Sequence, residues 1–265
     1  MTWLQATILA LVQGVTEFLP ISSSAHLVLT SRWLGWEDQG LTFDMAVHAG
    51  SLVAICAVVR GELGAVVRAV ATPRRRSPER RLAVALVVAT IPVAVVGLLG
   101  AGWVERSLRQ EWVIGLTSIL FGLLLGWADR RAGTTAVALE DLSWKAIVLI
   151  GLAQAVAVVP GTSRSGVTMT AALALGLSRP GAARLSFLLA VPVMALVALK
   201  SALDVAVRPV GAAAPHLVAV GFVVAGVAAY AAARWLLGWL ERADMRPFVA
   251  YRVILGVGIL VWCWL

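Results

Sequence analysis

The sequence is poor in charged side chains. Only 14% of its 265 residues are Asp, Glu, Lys or Arg, whereas soluble domains carry about 25%. Several long segments have no Asp, Glu, Lys or Arg at all: residues 82–104, 112–128 and 209–233. Since a helix of about 20 apolar residues spans the hydrocarbon core of a bilayer, these segments predict transmembrane helices. The composition therefore argues against a soluble protein and indicates a polytopic membrane protein.

Cysteine is also scarce. The two cysteines, Cys56 and Cys263, lie far apart in apolar segments, which favours buried small side chains over a metal site or a disulfide. The net charge of +8 does not require a nucleic-acid partner. In a membrane protein, an excess of Lys and Arg usually reflects cytoplasmic loops beside anionic lipid headgroups. We therefore expect membrane lipids, and no nucleic acid, among the partners.

The two halves of the chain resemble each other. Three pairs of short blocks match in the same order: 19–30 with 159–170, 42–47 with 186–191, and 83–89 with 219–225. Duplicated halves of a membrane protein often pack as an inverted pair, with the functional site at their interface. We predict an all-α polytopic membrane protein made of two inverted repeats, each a re-entrant helical hairpin plus three transmembrane helices.

The predicted boundaries follow from the apolar runs and the prolines. The first repeat covers residues 1–128 and contains a re-entrant hairpin and three spans: 3–35, 43–60, 82–104 and 112–128. A cytoplasmic connector follows at 129–143. The second repeat covers 144–265 and contains the same elements: hairpin 144–178 and spans 183–204, 209–234 and 247–265. In this layout fifteen of the 22 Lys and Arg residues are cytoplasmic and five lie on the opposite side. The positive-inside rule then predicts that both termini lie outside the cytoplasm.

Polar side chains crowd around Pro20 in TEFLPISSSAH, residues 16–26. Proline has no N–H for a helical hydrogen bond, so a first half-helix is predicted to end just before it. Ser22 or Ser23 can then cap a helix that begins near Ser24. Such a helix N-terminus carries unpaired N–H groups, which favour an anion.

The segment PGTSRSG, residues 160–166, repeats this design in the second half. Gly161 and Gly166 permit close backbone approach, and Arg164 supplies a planar guanidinium suited to a phosphate. The side chains predicted to contact a ligand are the polar ones around both breaks and one buried arginine: Gln13, Ser22, Ser24, Thr162, Ser163, Ser165 and Arg252. Plain helix capping is the alternative role for the hydroxyl groups.

Three ionisable residues are not explained by capping: Glu17, His26 and Arg164. An ionised side chain at mid-bilayer costs about 2.5–3.5 kcal/mol on insertion scales, so the three imply mutual compensation and a polar ligand. Glu17 shares a helix face with Gln13 and is suited to hold a divalent cation or orient a hydroxyl. His26 can exchange a proton near neutral pH. A purely structural polar cluster is the alternative.

Serine, histidine, carboxylate and arginine together favour hydrolysis of a phosphoanhydride. Arg252 lies inside the last apolar span, where it is expected to pair with a site carboxylate, to contact a phosphate, or to serve a structural pairing. Asp44 and His48 lie four residues apart and form a weaker candidate. For them we favour polar groups at a helix end that face water.

QGVTEFLPISSSAH (13–26) and PGTSRSG (160–166) resemble the two signature motifs of the bacterial undecaprenyl pyrophosphate phosphatases, the bacitracin-resistance protein family. The resemblance covers the whole chain, including the basic loop at 68–81 and the Tyr-Arg pair at 251–252. It implies an integral enzyme of the bacterial plasma membrane that removes the terminal phosphate of undecaprenyl pyrophosphate. This recycles the lipid carrier for cell-wall synthesis and confers bacitracin resistance. The resemblance also implies a divalent metal (Mg²⁺ or Ca²⁺), a homodimer and a site open to the periplasmic side.

The resemblance assigns roles to individual residues. Its implied catalytic residues are Ser23 as nucleophile, His26, Glu17 and Arg164 as the phosphate-binding arginine, with Glu17 also the metal ligand. Gln13 stands where many members carry a second glutamate, so Glu17 is expected to hold more of the metal. In a rival mechanism His26 is the nucleophile and Ser23 a ligand.

An alternative from another functional class is a transporter or flippase of a polyprenyl phosphate, since inverted repeats and broken helices are typical of transporters. Turnover in detergent distinguishes the two classes, because transport requires compartments and phosphate release does not.

Overall fold

The computed structural model describes residues 1–37, 39–71, 77–108, 110–132, 137–207 and 214–264, without the side chains of 101–106, 140, 206 and 207. The α-helices of these residues, numbered in chain order, are α1 Trp3–Phe18, α2 Ser23–Trp33, α3 Leu41–Val58, α4 Arg60–Ala71, α5 Pro78–Ser107, α6 Glu111–Arg131, α7 Trp144–Ala155, α8 Arg164–Ala174, α9 Arg179–Val207, α10 Pro215–Leu240 and α11 Arg246–Trp264. A 3-10 turn, Val156–Val158, extends α7.

Six helices in the described part of the chain are long and apolar enough to cross a membrane: α3, α5, α6, α9, α10 and α11. Their most apolar windows have mean hydropathies from 1.6 to 2.7. A helix satisfies its own backbone hydrogen bonds, which is required where no water is present. The prediction of an all-α, multi-pass membrane protein is therefore confirmed.

The helix ends differ in places from the predicted spans. α5 begins at Pro78 and α10 at Pro215, because proline fits the first turn of a helix, where its missing N–H costs nothing. α4 has no predicted counterpart. It has no buried residue and exposes Val67 and Val70, and its 12 residues are too few for a span. Four parts of the predicted layout lie outside the described residues: 72–76 of the basic loop, 133–136 of the connector, 209–213 and 265.

Close helix contacts hold the bundle together. α10 packs along both α1 and α3, α6 packs along α11, and α5 packs along α7. The α6–α11 contact depends on glycine: a Cβ atom on Gly256 would lie 2.6 Å from the carbonyl oxygen of Gly115. Small residues that let helix backbones approach this closely are typical of membrane helix interfaces.

Two pairs of short helices lie within this bundle. α1 and α2 are separated by residues 19–22, and α7 and α8 by residues 159–163. We call these two breaks tip 1 and tip 2. The Ser165 hydroxyl at the start of α8 donates a 2.8 Å hydrogen bond to the Leu19 carbonyl oxygen, so the two tips lie against each other. The fold thus places two polar helix N-termini side by side.

Candidate active site

Each tip ends in a serine with an unusual backbone conformation. Ser22 has φ 74° and Ser163 has φ 69°, and among the described residues these are the only non-glycine residues with positive φ. A non-glycine residue in this region is strained, and such strain persists only where the surroundings enforce it. Both serines are N-cap residues, followed directly by the first residues of their helices, Ser23 and Arg164.

A buried arginine joins the tips from behind. Arg252 of α11 is fully buried and donates hydrogen bonds only to backbone carbonyl oxygens among the described residues: Ser118 at 3.2 Å, Pro20 at 3.2 Å, and Gly161 and Thr162 at 2.9 Å each. Two of these carbonyl groups belong to tip 2 and one to tip 1. Arg252 therefore fixes the relative position of the two tips, and its guanidinium does not reach a carboxylate of the site.

Glu17 lies at the centre of the polar cluster. Its Oε2 accepts a hydrogen bond from the Ser23 hydroxyl at 2.7 Å and another from Gln13 Nε2 at 2.9 Å. Its Oε1 accepts one from Arg164 Nη2 at 3.1 Å, while Arg164 Nη1 donates to the Ser186 carbonyl oxygen at 3.1 Å. One carboxylate thus connects the hydroxyl that follows tip 1 to the guanidinium that follows tip 2.

The ion pair explains how these charges are tolerated inside an apolar bundle. The side chains of Glu17 and Arg164 are 9% and 13% exposed. An isolated charge in such a place is costly, but a paired and hydrogen-bonded one is tolerated. The Arg164 guanidinium also lies 5.8 Å from the centroid of the Phe18 ring, close enough for a cation–π contact.

The cluster forms the polar end of a cavity of about 520 Å³. Six of the eleven predicted site residues line it: Glu17, Ser22, Ser23, Ser24, Ser163 and Arg164. The rest of the wall is mostly apolar and comes from α5 and α9, including Val93, Leu98, Met194, Leu199 and Leu203. A cavity with a polar end and apolar walls fits an amphiphilic ligand.

The other five predicted residues lie outside the lining of this cavity: Gln13, His26, Thr162, Ser165 and Arg252. Four of them are buried behind the tips, and His26 is half-buried against α11. All guanidinium hydrogen bonds of Arg252 within the described residues go to backbone carbonyl groups. Its placement therefore differs from the predicted contact with the substrate phosphate. The structure gives it the structural pairing that the sequence left open.

Several residues near the cavity were missed or underrated from the sequence. His48 is half-buried and lines the cavity, although its spacing from Asp44 favoured a water-facing helix end. Lys200 also lines the cavity and pairs with Asp204 at 2.5 Å. The sequence did contain a signal for Lys200, because a lysine inside an apolar run is unusual. Tyr251 belongs to the Tyr-Arg pair of the family resemblance, but nothing in the sequence connected it to His26.

The oxygen groups at the site decide which metal it can hold. Within the described residues, no group of three or more His, Cys, Asp and Glu side chains is placed to bind a metal ion. Glu17 is the one carboxylate among the described residues that line the cavity, and Gln13 Oε1 is buried without a hydrogen-bond partner. Mg²⁺ is commonly bound by one or two carboxylates together with substrate phosphates. These residues fit a cation that shares its ligands with a diphosphate.

Comparison with known proteins places this geometry in context. The model of the family described as "Bacitracin resistance protein BacA" matches residues 6–258. The chain is 50% identical to an undecaprenyl-diphosphatase of Magnetococcus marinus, over 96% of both chains. It is 47% identical to those of Hahella chejuensis, over 99% of this chain and 98% of the relative, and of Alcanivorax borkumensis, over 99% of both.

Proposed function

The chain belongs to the bacitracin resistance protein BacA family, and from this premise we propose how its site hydrolyses undecaprenyl diphosphate. The protein is a multi-pass membrane phosphatase that releases inorganic phosphate and leaves undecaprenyl phosphate, the lipid carrier for cell-wall synthesis. Bacitracin resistance fits the name of the family. The observation that carries the mechanism is the Ser23–Glu17–Arg164 chain at the polar end of an otherwise apolar cavity.

Ser23 is the nucleophile. Its hydroxyl lines the cavity and already donates to Glu17 Oε2 at 2.7 Å, so the carboxylate can take the proton as Oγ attacks the terminal phosphorus. The new bond joins Ser23 Oγ to phosphorus, and the anhydride P–O bond breaks. Undecaprenyl phosphate leaves with the electron pair of that bond and takes up the proton that Glu17 received from Ser23, so the carboxylate is ionised again before the second step.

Arg164 stabilises the charge that develops on the transferred phosphoryl group. Its guanidinium is oriented by Glu17 Oε1 and the Ser186 carbonyl oxygen, and it lines the cavity. The first N–H groups of α2 and α8 lie at the same end and favour an anion. Preorganised donors of this kind usually supply the largest single contribution to such a reaction.

The second step restores the serine. A water molecule attacks the phosphoserine and gives a proton to Glu17, the Ser23 Oγ–P bond breaks, and inorganic phosphate leaves. Protonated Glu17 returns a proton to Ser23 Oγ through the 2.7 Å contact. The mechanism then uses one carboxylate for both steps, in agreement with the single carboxylate among the described cavity-lining residues.

A divalent cation, Mg²⁺ or Ca²⁺, is part of the proposal. Glu17 would hold it, and the unpartnered Oε1 of Gln13 offers a second oxygen. When bound, the cation neutralises negative charge on the diphosphate. Gln13 also donates its amide to Glu17, which orients the carboxylate toward Ser23.

The polyprenyl chain lies along the apolar wall. Leu98, Leu199 and Leu203 line the cavity, and they are 68%, 58% and 58% exposed. Side chains that face both the cavity and the outside of the bundle mark a lateral opening between α5 and α9. The tail can therefore remain in the surrounding lipid while the diphosphate reaches the tips.

The orientation of the site follows from charge. α5 and α9 begin with arginines, Arg80 and Arg81 on one and Arg179 and Arg184 on the other, while the cavity is lined by their second halves. If the basic ends are cytoplasmic, the cavity opens toward the periplasmic side of a bacterial plasma membrane. The two helix–break–helix pairs support two inverted repeats with re-entrant hairpins. The family resemblance supports a homodimer.

Phosphate release by the purified protein in detergent, with and without EDTA, tests the function. We expect metal-dependent release from undecaprenyl diphosphate and loss of at least about 10³-fold in Ser23→Ala, because the nucleophile is removed. Ser31→Ala, on the same helix, is the control, since its hydroxyl donates to Gln39 Oε1 at 3.3 Å and does not line the cavity. Its activity should stay close to that of the wild type.

A labelled terminal phosphate, trapped during turnover by a denaturing quench at mildly alkaline pH that preserves both phosphoserine and phosphohistidine, identifies the nucleophile. Label on Ser23 supports the mechanism, and label on His26 contradicts it. Folded wild-type protein that releases no phosphate in detergent would favour the transporter alternative.

A further inference from the structure

Both ring nitrogen atoms of His26 have a hydrogen-bond partner. Nδ1 lies 2.7 Å from the Ser22 carbonyl oxygen, and Nε2 lies 2.6 Å from the hydroxyl oxygen of Tyr251 on α11. The His26 and Tyr251 rings also stack, with centroids 5.6 Å apart and an interplanar angle of 11°. The imidazole therefore bridges tip 1 and the last helix.

The partners of His26 define its tautomer. A carbonyl oxygen only accepts hydrogen bonds, so Nδ1 carries the proton that faces Ser22. In the neutral ring Nε2 is then the acceptor, and it receives the phenolic O–H of Tyr251. Neither nitrogen is directed at Ser23, whose hydroxyl bonds to Glu17 instead. His26 is thus placed to hold the backbone and not to move a proton at the phosphorus.

The backbone at Ser22 needs such support. Ser22 has φ 74° but makes no side-chain cap bond to α2, whereas Ser163 caps α8 by accepting a 3.1 Å bond from the Gly166 N–H. The first backbone bond of α2, from the His26 N–H to the Ser22 carbonyl oxygen, is also long at 3.3 Å. The imidazole N–H gives the same carbonyl oxygen a second and shorter bond, at 2.7 Å.

We infer that Tyr251 is a positioning residue for the phosphatase reaction: acting through His26, it holds the strained Ser22 peptide and thereby fixes Ser23 beside Glu17. The inference rests on the proposed function, in which Ser23 is the nucleophile. The next residue of α11, Arg252, holds the Pro20 carbonyl oxygen on the other side of the same turn. Two consecutive residues of α11 therefore set the conformation of tip 1.

Tyr251→Phe tests this role with a matched control. The chain has two tyrosines, and Tyr230 on α10 is exposed to a similar extent, 44% against 41% for Tyr251. We expect Tyr251→Phe to lower kcat about three- to tenfold, the effect of one hydrogen bond, with KM unchanged because Tyr251 does not line the cavity. Tyr230→Phe should match wild type. Equal kcat values for the two variants would overturn the inference.

The pH profile separates positioning from proton transfer. His26→Gln should lower kcat yet keep the shape of the wild-type pH profile, whereas loss of one limb would make His26 an acid or base and overturn the inference. The double variant His26→Gln with Tyr251→Phe should lose no more activity than His26→Gln alone, because Tyr251 acts through His26. Multiplicative losses would show that Tyr251 acts elsewhere.

A spectroscopic readout does not depend on activity. With ¹⁵N-labelled histidine, three residues contribute signals: His26, His48 and His216. We expect the Nε2 resonance of His26 to move in Tyr251→Phe and to stay in place in Tyr230→Phe, with Nδ1 protonated throughout. An unmoved resonance would refute the contact. If the wild-type protein released no phosphate, the proposed function would fail while this readout still reported whether the pair exists.

Discussion

Tip 1 and tip 2 are two versions of one backbone turn. Each places a serine with positive φ at the N-cap of a helix, Ser22 with φ 74° and Ser163 with φ 69°. In each, the serine hydroxyl lies near that of the serine two residues later, at 3.4 Å in tip 1 and 3.2 Å in tip 2. The residue between them differs: Ser23 begins α2, and Arg164 begins α8. The two turns therefore align one residue away from the sequence match of 19–30 with 159–170.

This difference divides the chemistry between the halves. The equivalent position supplies the proposed nucleophile in the first half and a cation in the second, and Glu17 bonds to both. Neither half carries both groups by itself. The two tips thus offer two anion-attracting helix N-termini, and the residue at this one position makes them complementary.

The tips also differ in how they are held. Tip 2 has a side-chain cap from Ser163, and the Pro160 carbonyl oxygen accepts a 2.7 Å bond from Thr117. Tip 1 has no such cap and depends on His26. The position that is Gly166 in α8 is Ala25 in α2, where the methyl group is fully buried. The tip beside the proposed nucleophile therefore has a histidine bond to its carbonyl group where tip 2 has a serine cap.

Of the variants that test this comparison of the tips, Arg164→Ala should have the largest effect, which is on kcat. Removing the guanidinium takes away a preorganised donor and leaves Glu17 unpaired, so we expect kcat to fall about 10²- to 10³-fold. Phosphate release in detergent measures this. Arg184→Ala is the control, because Arg184 pairs with Glu62 in a half-exposed position away from the cavity and should stay near wild type. A loss of less than about tenfold in Arg164→Ala would show that the tips do not divide the chemistry as described.

Gly166→Ala tests whether α8 tolerates, just after tip 2, the alanine that α2 has just after tip 1. A Cβ atom on Gly166 would lie 2.6 Å from Nη1 of the buried Arg252, so we expect a destabilisation of about 1–3 kcal/mol from overpacking. The apparent melting temperature in detergent measures it. A Cβ atom on Gly238 of α10 would meet no atom of the described residues within 4 Å, so Gly238→Ala should leave stability unchanged or slightly raised. Equal behaviour of the two variants would contradict the crowding at Arg252.

The smallest expected effect is the difference in stability between alanine substitutions of the two N-cap serines. Ser163→Ala removes a cap hydrogen bond, whereas Ser22→Ala does not, so Ser163→Ala should destabilise the protein by about 1 kcal/mol more. Both variants place alanine at a positive φ, and this shared strain cancels in the comparison. Paired thermal unfolding measures the difference. A larger loss in Ser22→Ala would reverse the assignment of the caps.

Some of this architecture follows from local sequence. Lipid requires long apolar helices, so charge-free runs predicted the spans, and proline next to clustered hydroxyl groups predicted the breaks. The cluster of Glu17, Ser23 and Arg164 also followed, because two similar motifs at helix N-termini favour one shared anion site.

The remaining features depend on contacts between distant segments. His26 and Tyr251 are 225 residues apart, and no spacing rule connects them. The four hydrogen-bond partners of Arg252 are backbone carbonyl groups. Every residue has such a group, so the amino-acid sequence does not indicate which ones bind the arginine. The capping prediction for Ser22 was half right: the residue is the N-cap, but its hydroxyl makes no cap bond to the helix, and the contact with His26 is made by its carbonyl group.

The lateral opening proposed beside Leu98, Leu199 and Leu203 determines which substrate concentration controls the rate. A lipid that enters sideways arrives by diffusion in two dimensions, so the relevant quantity is molecules of substrate per molecule of lipid. Extra detergent at constant bulk substrate should then slow the enzyme by surface dilution. A bacterium that enlarges its membrane without making more carrier would slow recycling in the same way.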